Sequence, residues 1–212
     1  MTETILSAKA RRERNREEMK AAILATARDI IRTDGAAALS LHEVARRIGL
    51  QTPSLYAYFE GKPAVYDALF RLGVRLYSER LEQVYTQTPP GWEQIEAASA
   101  AILDFACECP DLYQIVFERP VPGFIPSAEA LAESVRAYER SRDMFAQALA
   151  QAGIRPGLPV TQAFDLLVAT IHGLAAQHLA NEPHLAPGSG RFGGLVAAAV
   201  AVFRAAWGPL ES

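Results

Sequence analysis

Residues Leu39 to Lys62 hold two short helical segments around Gly49, and the second is too short to stand without a partner. Ser40 followed by Glu43 has the spacing of a capping box, so a helix is expected from about Leu41. Val44, Ala45 and Ile48 share one face of it, Gly49 supplies the left-handed residue that ends it, and Leu50 plugs the turn. Thr52 is expected to cap a second helix of about two turns, with Pro53 at its first position, where a missing N–H costs nothing. Leu55 and Phe59 lie one turn apart and face inward, which leaves Thr52, Ser54, Tyr56 and Tyr58 to face outward. A preceding helix must cover the inward face, and Ile23, Ala27 and Ile30 have the spacing to do so. The three together make a helix-turn-helix unit, a geometry that fits the DNA major groove.

Charge separates this unit from the rest of the chain. Residues 1–62 carry 11 Lys+Arg against 8 Asp+Glu, whereas residues 63–212 carry 10 against 16. A basic arm, with Lys9, Arg11, Arg12, Arg14, Arg16 and Lys20, runs into the first helix. With a net charge of −3 the whole chain is no general nucleic-acid binder, and a basic head on an acidic body suits DNA contact at one end.

The run from Thr52 to Lys62 resembles the recognition helix and following lysine of TetR-family transcriptional regulators, and the resemblance covers roughly residues 18–70. It implies that Thr52, Pro53, Ser54 and Tyr58 reach base edges, joined by His42, and that Tyr56 and Lys62 bind phosphate. It also implies that the helix begun by Ser40 offers backbone N–H groups to a further phosphate. Tyr58 stands where histidine is common in the family, and Pro63 where an acidic residue is common. The first departure bears on operator sequence; the second is another way to start a helix.

Beyond Lys62 the apolar spacing is helical and no sustained alternation marks a strand, so the expected fold is all-α. Two units are expected, the DNA-binding domain over 1–62 and a helical ligand-binding and dimerisation domain over 63–212. Helices are expected from Pro63 to about Val84, Trp92 to Glu108, Pro110 through Phe117, Ser127 to Ala152, after Pro159 to about Ala180, and after Gly190 to near Trp207. No apolar run reaches the ~20 residues of a membrane span and the first 20 residues are polar, so a cytoplasmic protein with no membrane partner is expected. Cys107 and Cys109 would sit on nearly opposite helix faces, as small buried thiols rather than a disulfide.

Two features of this body point to partners. Phe105, Tyr113, Phe117, Phe124, Tyr138, Phe145, Phe164 and His172 supply aromatic bulk with few polar tips, the composition of an apolar small-molecule pocket. The last helix repeats Gly193, Ala197, Ala201 and Ala205 every four residues, forming a shallow groove that lets another helix come close. With Phe164 and Ile171 of the preceding helix and Phe203 of the last, Ala197 and Ala201 are the candidate dimer contacts. The family resemblance implies a homodimer that presents two recognition helices to a near-palindromic site.

Catalytic motifs are missing. Gly188 to Gly193 fits the dinucleotide pattern G-x-G-x-x-G, yet no strand precedes it. No phosphate loop, His-Glu-x-x-His or Gly-x-Ser-x-Gly motif occurs, and the six-residue steps of His172, His178 and His184 do not align metal ligands on a helix. No cofactor or metal is expected. The sequence reads as a dimeric, ligand-responsive DNA-binding regulator, most simply a repressor bound to double-stranded DNA and released by a small apolar or amphipathic effector. The competing readings are an architectural DNA-binding protein without effector and a helical enzyme or carrier.

Overall fold

The structure, a computed structural model, describes residues 8–208; residues 1–7 of the domain expected over 1–62 and residues 209–212 lie outside it. The described residues are helical almost throughout, with no β-sheet. Helix α1 (Ala8–Asp34) is followed by a 3-10 turn (Ala36–Ala38), α2 (Leu41–Arg47) and α3 (Thr52–Leu55). The body comprises α4 (Lys62–Gln87), α5 (Trp92–Glu108), α6 (Pro110–Tyr113), α7 (Ala128–Gln151), α8 (Val160–Asn181), α9 (Gly190–Gly193) and α10 (Leu195–Ala206). A π-helical turn, Gln114–Glu118, continues α6.

The head is built as the apolar spacing requires. Ile23, Ala27 and Ile30 of α1 are buried with Val44 and Ala45 of α2, Leu55 of α3 and Phe59. Gly49 adopts φ +71°, so a side chain there would force the strained left-handed region. Several local expectations are corrected. The basic arm from Ala8 onward is already α1, supported by pairs such as Arg14–Glu18 and Lys20–Glu17. No capping box forms, because Glu43 turns to Arg46 and Arg47, where charge-assisted bonds of 2.7 Å outcompete a neutral amide. These guanidinium bonds hold its carboxyl down to about 2. Gln51 rather than Thr52 caps α3, and the helix is a single turn, extended to Phe59 by turn hydrogen bonds.

Long helix α4 belongs to head and body alike. Its first turns bury Val65, Tyr66 and Leu69, and Tyr66 donates a 2.5 Å hydrogen bond to the Ala36 carbonyl, fixing the 3-10 turn. Further along, Gly73 lets the chain of α6 approach so closely that a Cβ would meet Val116 Cγ2 at 2.7 Å. Helix α6 is wedged against α1, α4 and α5. Ser127 caps α7 through Ala130 N and is itself held by Asp67 of α4. Helices α5, α8 and α10 pack together, with Trp207 enclosed by Trp92, Phe145 and Phe203.

Cys107 and Cys109 are free and half-buried rather than buried, because α5 ends between them and Cys109 opens into α6. Among the described residues no helix is long and apolar enough to cross a membrane.

Candidate DNA-reading surface and effector cavity

In the head, the outward side chains of α2 and α3 come together. His42 Nδ1 lies 3.2 Å from Thr52 Oγ1, so the hydroxyl expected to cap α3 instead joins the two helices of the turn. Pro53, Ser54 and Tyr56 are exposed, as is Ser40, which caps α2 by backbone position without a side-chain bond. Tyr58 is half-buried because Arg16 of α1 crosses it, its guanidinium 5.6 Å from the ring centroid and donating to the Ala57 carbonyl at 2.9 Å. Sequence spacing could not show that pairing, since 41 residues separate Arg16 from Ala57. Lys62 opens α4, donates to the Ala37 carbonyl at 3.3 Å and lies over Tyr66. Each head residue expected to contact DNA therefore stands at the surface or half-exposed, against a buried scaffold that fixes it.

In the body, a cavity of about 190 Å³ opens between α4, the π-helical turn, α7 and α8. Phe117, Tyr138, Phe164 and His172 line it, as the aromatic content suggested, together with Val74, Tyr77, Val116, Ser134, Ala137, Ser141 and Val168. The other four aromatic candidates do not line it. Tyr113 stands behind His172; Phe105 packs on Tyr77 and Phe145 on Phe164, both as buried core. Phe124 packs on Tyr66 at the far end of α4, since the proline-rich loop carries it away from the cavity. Tyr77 is the residue the sequence missed: its place in the apolar stripe of α4 looks like ordinary core.

His172 organises this cavity. Its ring lies among Tyr77, Tyr113 and Phe117, with centroids 6.0, 5.6 and 4.3 Å away. Tyr113 donates to the His172 carbonyl at 3.1 Å and its oxygen lies 3.0 Å from Nδ1. The tautomer consistent with this pattern carries its proton on Nδ1, and Nε2 then accepts from Tyr77 at a long 3.4 Å. Burial pulls the imidazole down to about 4 and pushes both phenols up, so all three groups are neutral near pH 7. The lining thus offers apolar surface and uncharged hydrogen-bonding tips. At the rim, Tyr138 donates to Asp165 at 2.6 Å and ties α7 to α8.

The candidate dimer contacts divide by size. Ala197 and Ala201 are exposed, whereas Phe164, Ile171 and Phe203 point into the chain's own core. Helix α8 is apolar over most of its circumference, so sequence could not tell which face turns inward. The outward apolar face consists of Leu166, Ala169 and Gly173 on α8 and Leu195, Ala198, Ala201 and Val202 on α10, with Val202 67% exposed. In the G-x-G-x-x-G run the backbone N–H groups of Arg191 and Phe192 donate to the Glu182 carboxylate, where a dinucleotide-binding turn would offer them to phosphate.

Residues 23–69 match the family model of bacterial regulatory proteins, tetR family, and residues 95–200 match that of the tetracyclin repressor-like C-terminal domain. The HTH-type transcriptional activator FasR of Mycolicibacterium smegmatis is 27% identical over 103 residues, 49% of this chain and 47% of FasR, so the match spans about half of that relative's length. The solved structure of SCO4313 superposes with a TM-score of 0.72 at 23% identity, covering 90% of this chain and 97% of that one. FadR of Bacillus subtilis, solved with stearoyl-CoA, gives 0.69 at 15% identity over 88% and 98% of the two chains. At these identities the structural likenesses establish the fold.

Proposed function

The chain belongs to the TetR family of bacterial regulatory proteins and is a DNA-binding transcriptional regulator, and from that premise we propose that it is a dimeric repressor released from a near-palindromic operator by a small apolar or amphipathic effector. The observation that carries this reading is the 190 Å³ cavity organised by His172 within the helical body that supports the head. An apolar cavity of roughly 150 Å³ accommodates a benzene-sized molecule, so the effector portion bound here has about the bulk of one ring or a short branched chain. Stearoyl-CoA, the ligand of Bacillus subtilis FadR, carries a far longer acyl chain, which would require the Tyr138–Asp165 rim to open.

Residues 1–62 are then the reader and residues 63–212 the sensor and dimerisation unit. Thr52, Pro53, Ser54 and Tyr58, with His42, read base edges; Ser40, Tyr56 and Lys62 contact phosphate. The exposed arrangement of these side chains on a buried scaffold supports those roles. Two copies pair through the outward faces of α8 and α10, and the exposed Leu166, Leu195 and Val202 are the apolar side chains such a bundle would bury.

To release DNA, the effector must bind the released state better than the DNA-bound one; a hundredfold preference is worth about 2.7 kcal/mol per site. The test selects bound sequences from a random duplex pool, then screens small metabolites for loss of the selected complex. A palindromic consensus released by an apolar compound is the expected result, and a complex that no compound shifts would overturn effector control. In vitro transcription from the selected site distinguishes a repressor from an activator such as FasR.

A further inference from the structure

A buried ion pair joins the cavity region to the head. Asp111 of α6 has a fully buried side chain and accepts two bonds from the Arg28 guanidinium of α1, at 2.5 and 3.2 Å, with Arg32 a further 3.9 Å away. The bond to Asp111 is the main reason that Arg28 holds its proton more tightly than usual. Arg28 lies one residue beyond Ala27, which packs in the core beneath α2 and α3. On the other side, Asp111 lies two residues before Tyr113, whose hydroxyl holds His172 at the cavity wall.

The segment after Tyr113 departs from regular α-helix. Its π-helical turn, Gln114–Glu118, carries Val116 and Phe117 into the cavity and ends at Arg119, whose φ of +49° is unusual for a side-chain-bearing residue. A π turn holds one residue more than an α turn of the same rise, so reverting to α geometry rotates the downstream residues relative to the upstream ones. Gly73 leaves no slack on the α4 side, with Val116 and Leu112 closed against it. A ligand that displaces Phe117 therefore pushes on α6, and the bidentate Asp111–Arg28 pair links α6 to α1.

We propose that Asp111 and Arg28 are positioning residues through which cavity occupancy reaches helix α1 of the DNA head. The inference rests on the effector reading above, and its test keeps the two separable. Val168→Phe serves as an internal ligand, filling the cavity from α8 without touching the head. Arg28→Lys keeps the positive charge and loses the forked pair of bonds.

Amide hydrogen exchange of residues 23–34 and affinity for the selected operator are measured in wild type, both single variants and the double variant. In the wild-type background Val168→Phe is expected to speed exchange and weaken DNA binding by about tenfold, within the usual range of allosteric coupling. In the Arg28→Lys background both effects should shrink below about twofold. Equal effects in the two backgrounds, or none in either, overturn the proposal. An exchange response that Arg28→Lys abolishes, in a protein whose DNA affinity never changes, supports the relay while overturning release by effector. Asp111→Asn, nearly isosteric, repeats the comparison if Arg28→Lys fails to fold.

Discussion

Acidification tests the environment assigned to His172. The imidazole is buried among Tyr77, Tyr113 and Phe117 with no carboxylate beside it, and burial takes it from 6.5 to about 4. The unfolded chain therefore takes up this proton first as the pH drops. The stability tied to neutral His172 is fully present above about 6.5 and is lost progressively as the pH falls toward 4. With about 1.4 kcal/mol per tenfold change in proton binding, the loss is about 2 kcal/mol at pH 5 and about 3 kcal/mol when complete. Urea denaturation followed by far-ultraviolet dichroism at pH 7.5, 6 and 5, at one protein concentration, measures it in wild type and in His172→Gln. Other titrating groups contribute equally to both proteins, so the difference between their unfolding free energies should move by about 2 kcal/mol between pH 7.5 and 5. Parallel curves would refute a buried, neutral His172.

Other perturbations probe the remaining joints. Gly73→Ala replaces glycine in mid-helix, where propensity alone favours alanine by about 1 kcal/mol. Because the new Cβ meets Val116 at 2.7 Å, the net change should instead be a destabilisation of about 1–2 kcal/mol in denaturant titration, and a gain would show the α4–α6 contact to be loose. Arg28→Ala strands the buried Asp111 carboxylate and should cost about 3–5 kcal/mol by the same measurement; a cost below about 1 would mean that the pair is solvated. Lys62→Ala should weaken binding to all DNA sequences and lower the slope of log affinity against log salt by about one, and an unchanged slope removes its phosphate role. Val202→Glu places a charge on the outward face of α10 and should shift sedimentation toward monomer; an unchanged dimer would locate the interface elsewhere.

The all-α architecture, the helix-turn-helix and most helix boundaries were legible in the sequence because they depend on neighbours three or four residues apart. The i, i+4 burial of Leu55 and Phe59, the left-handed Gly49 and the prolines that start α4 and α6 are decided by local sterics and spacing. Competition between local partners was not legible: Glu43 could bond the Ser40 amide or the arginines one turn on, and only the formed helix brings both guanidinium groups to it. Tertiary structure alone decided which apolar residues face a cavity, which face the core and which face solvent. Phe124 left the aromatic group because a proline-rich loop places it on Tyr66, and Tyr77 joined because α4 turns it toward His172. Phe164, Ile171 and Phe203 turned inward while Ala201 and Val202 stayed exposed, since helices apolar over most of their circumference carry too little polar surface to mark their outside. The Arg28–Asp111 and Arg16–Tyr58 contacts join residues 83 and 42 positions apart, and no local pattern could encode them. Local sequence chose the helices of this regulator, and long-range packing chose the cavity, the outward face and the link between them.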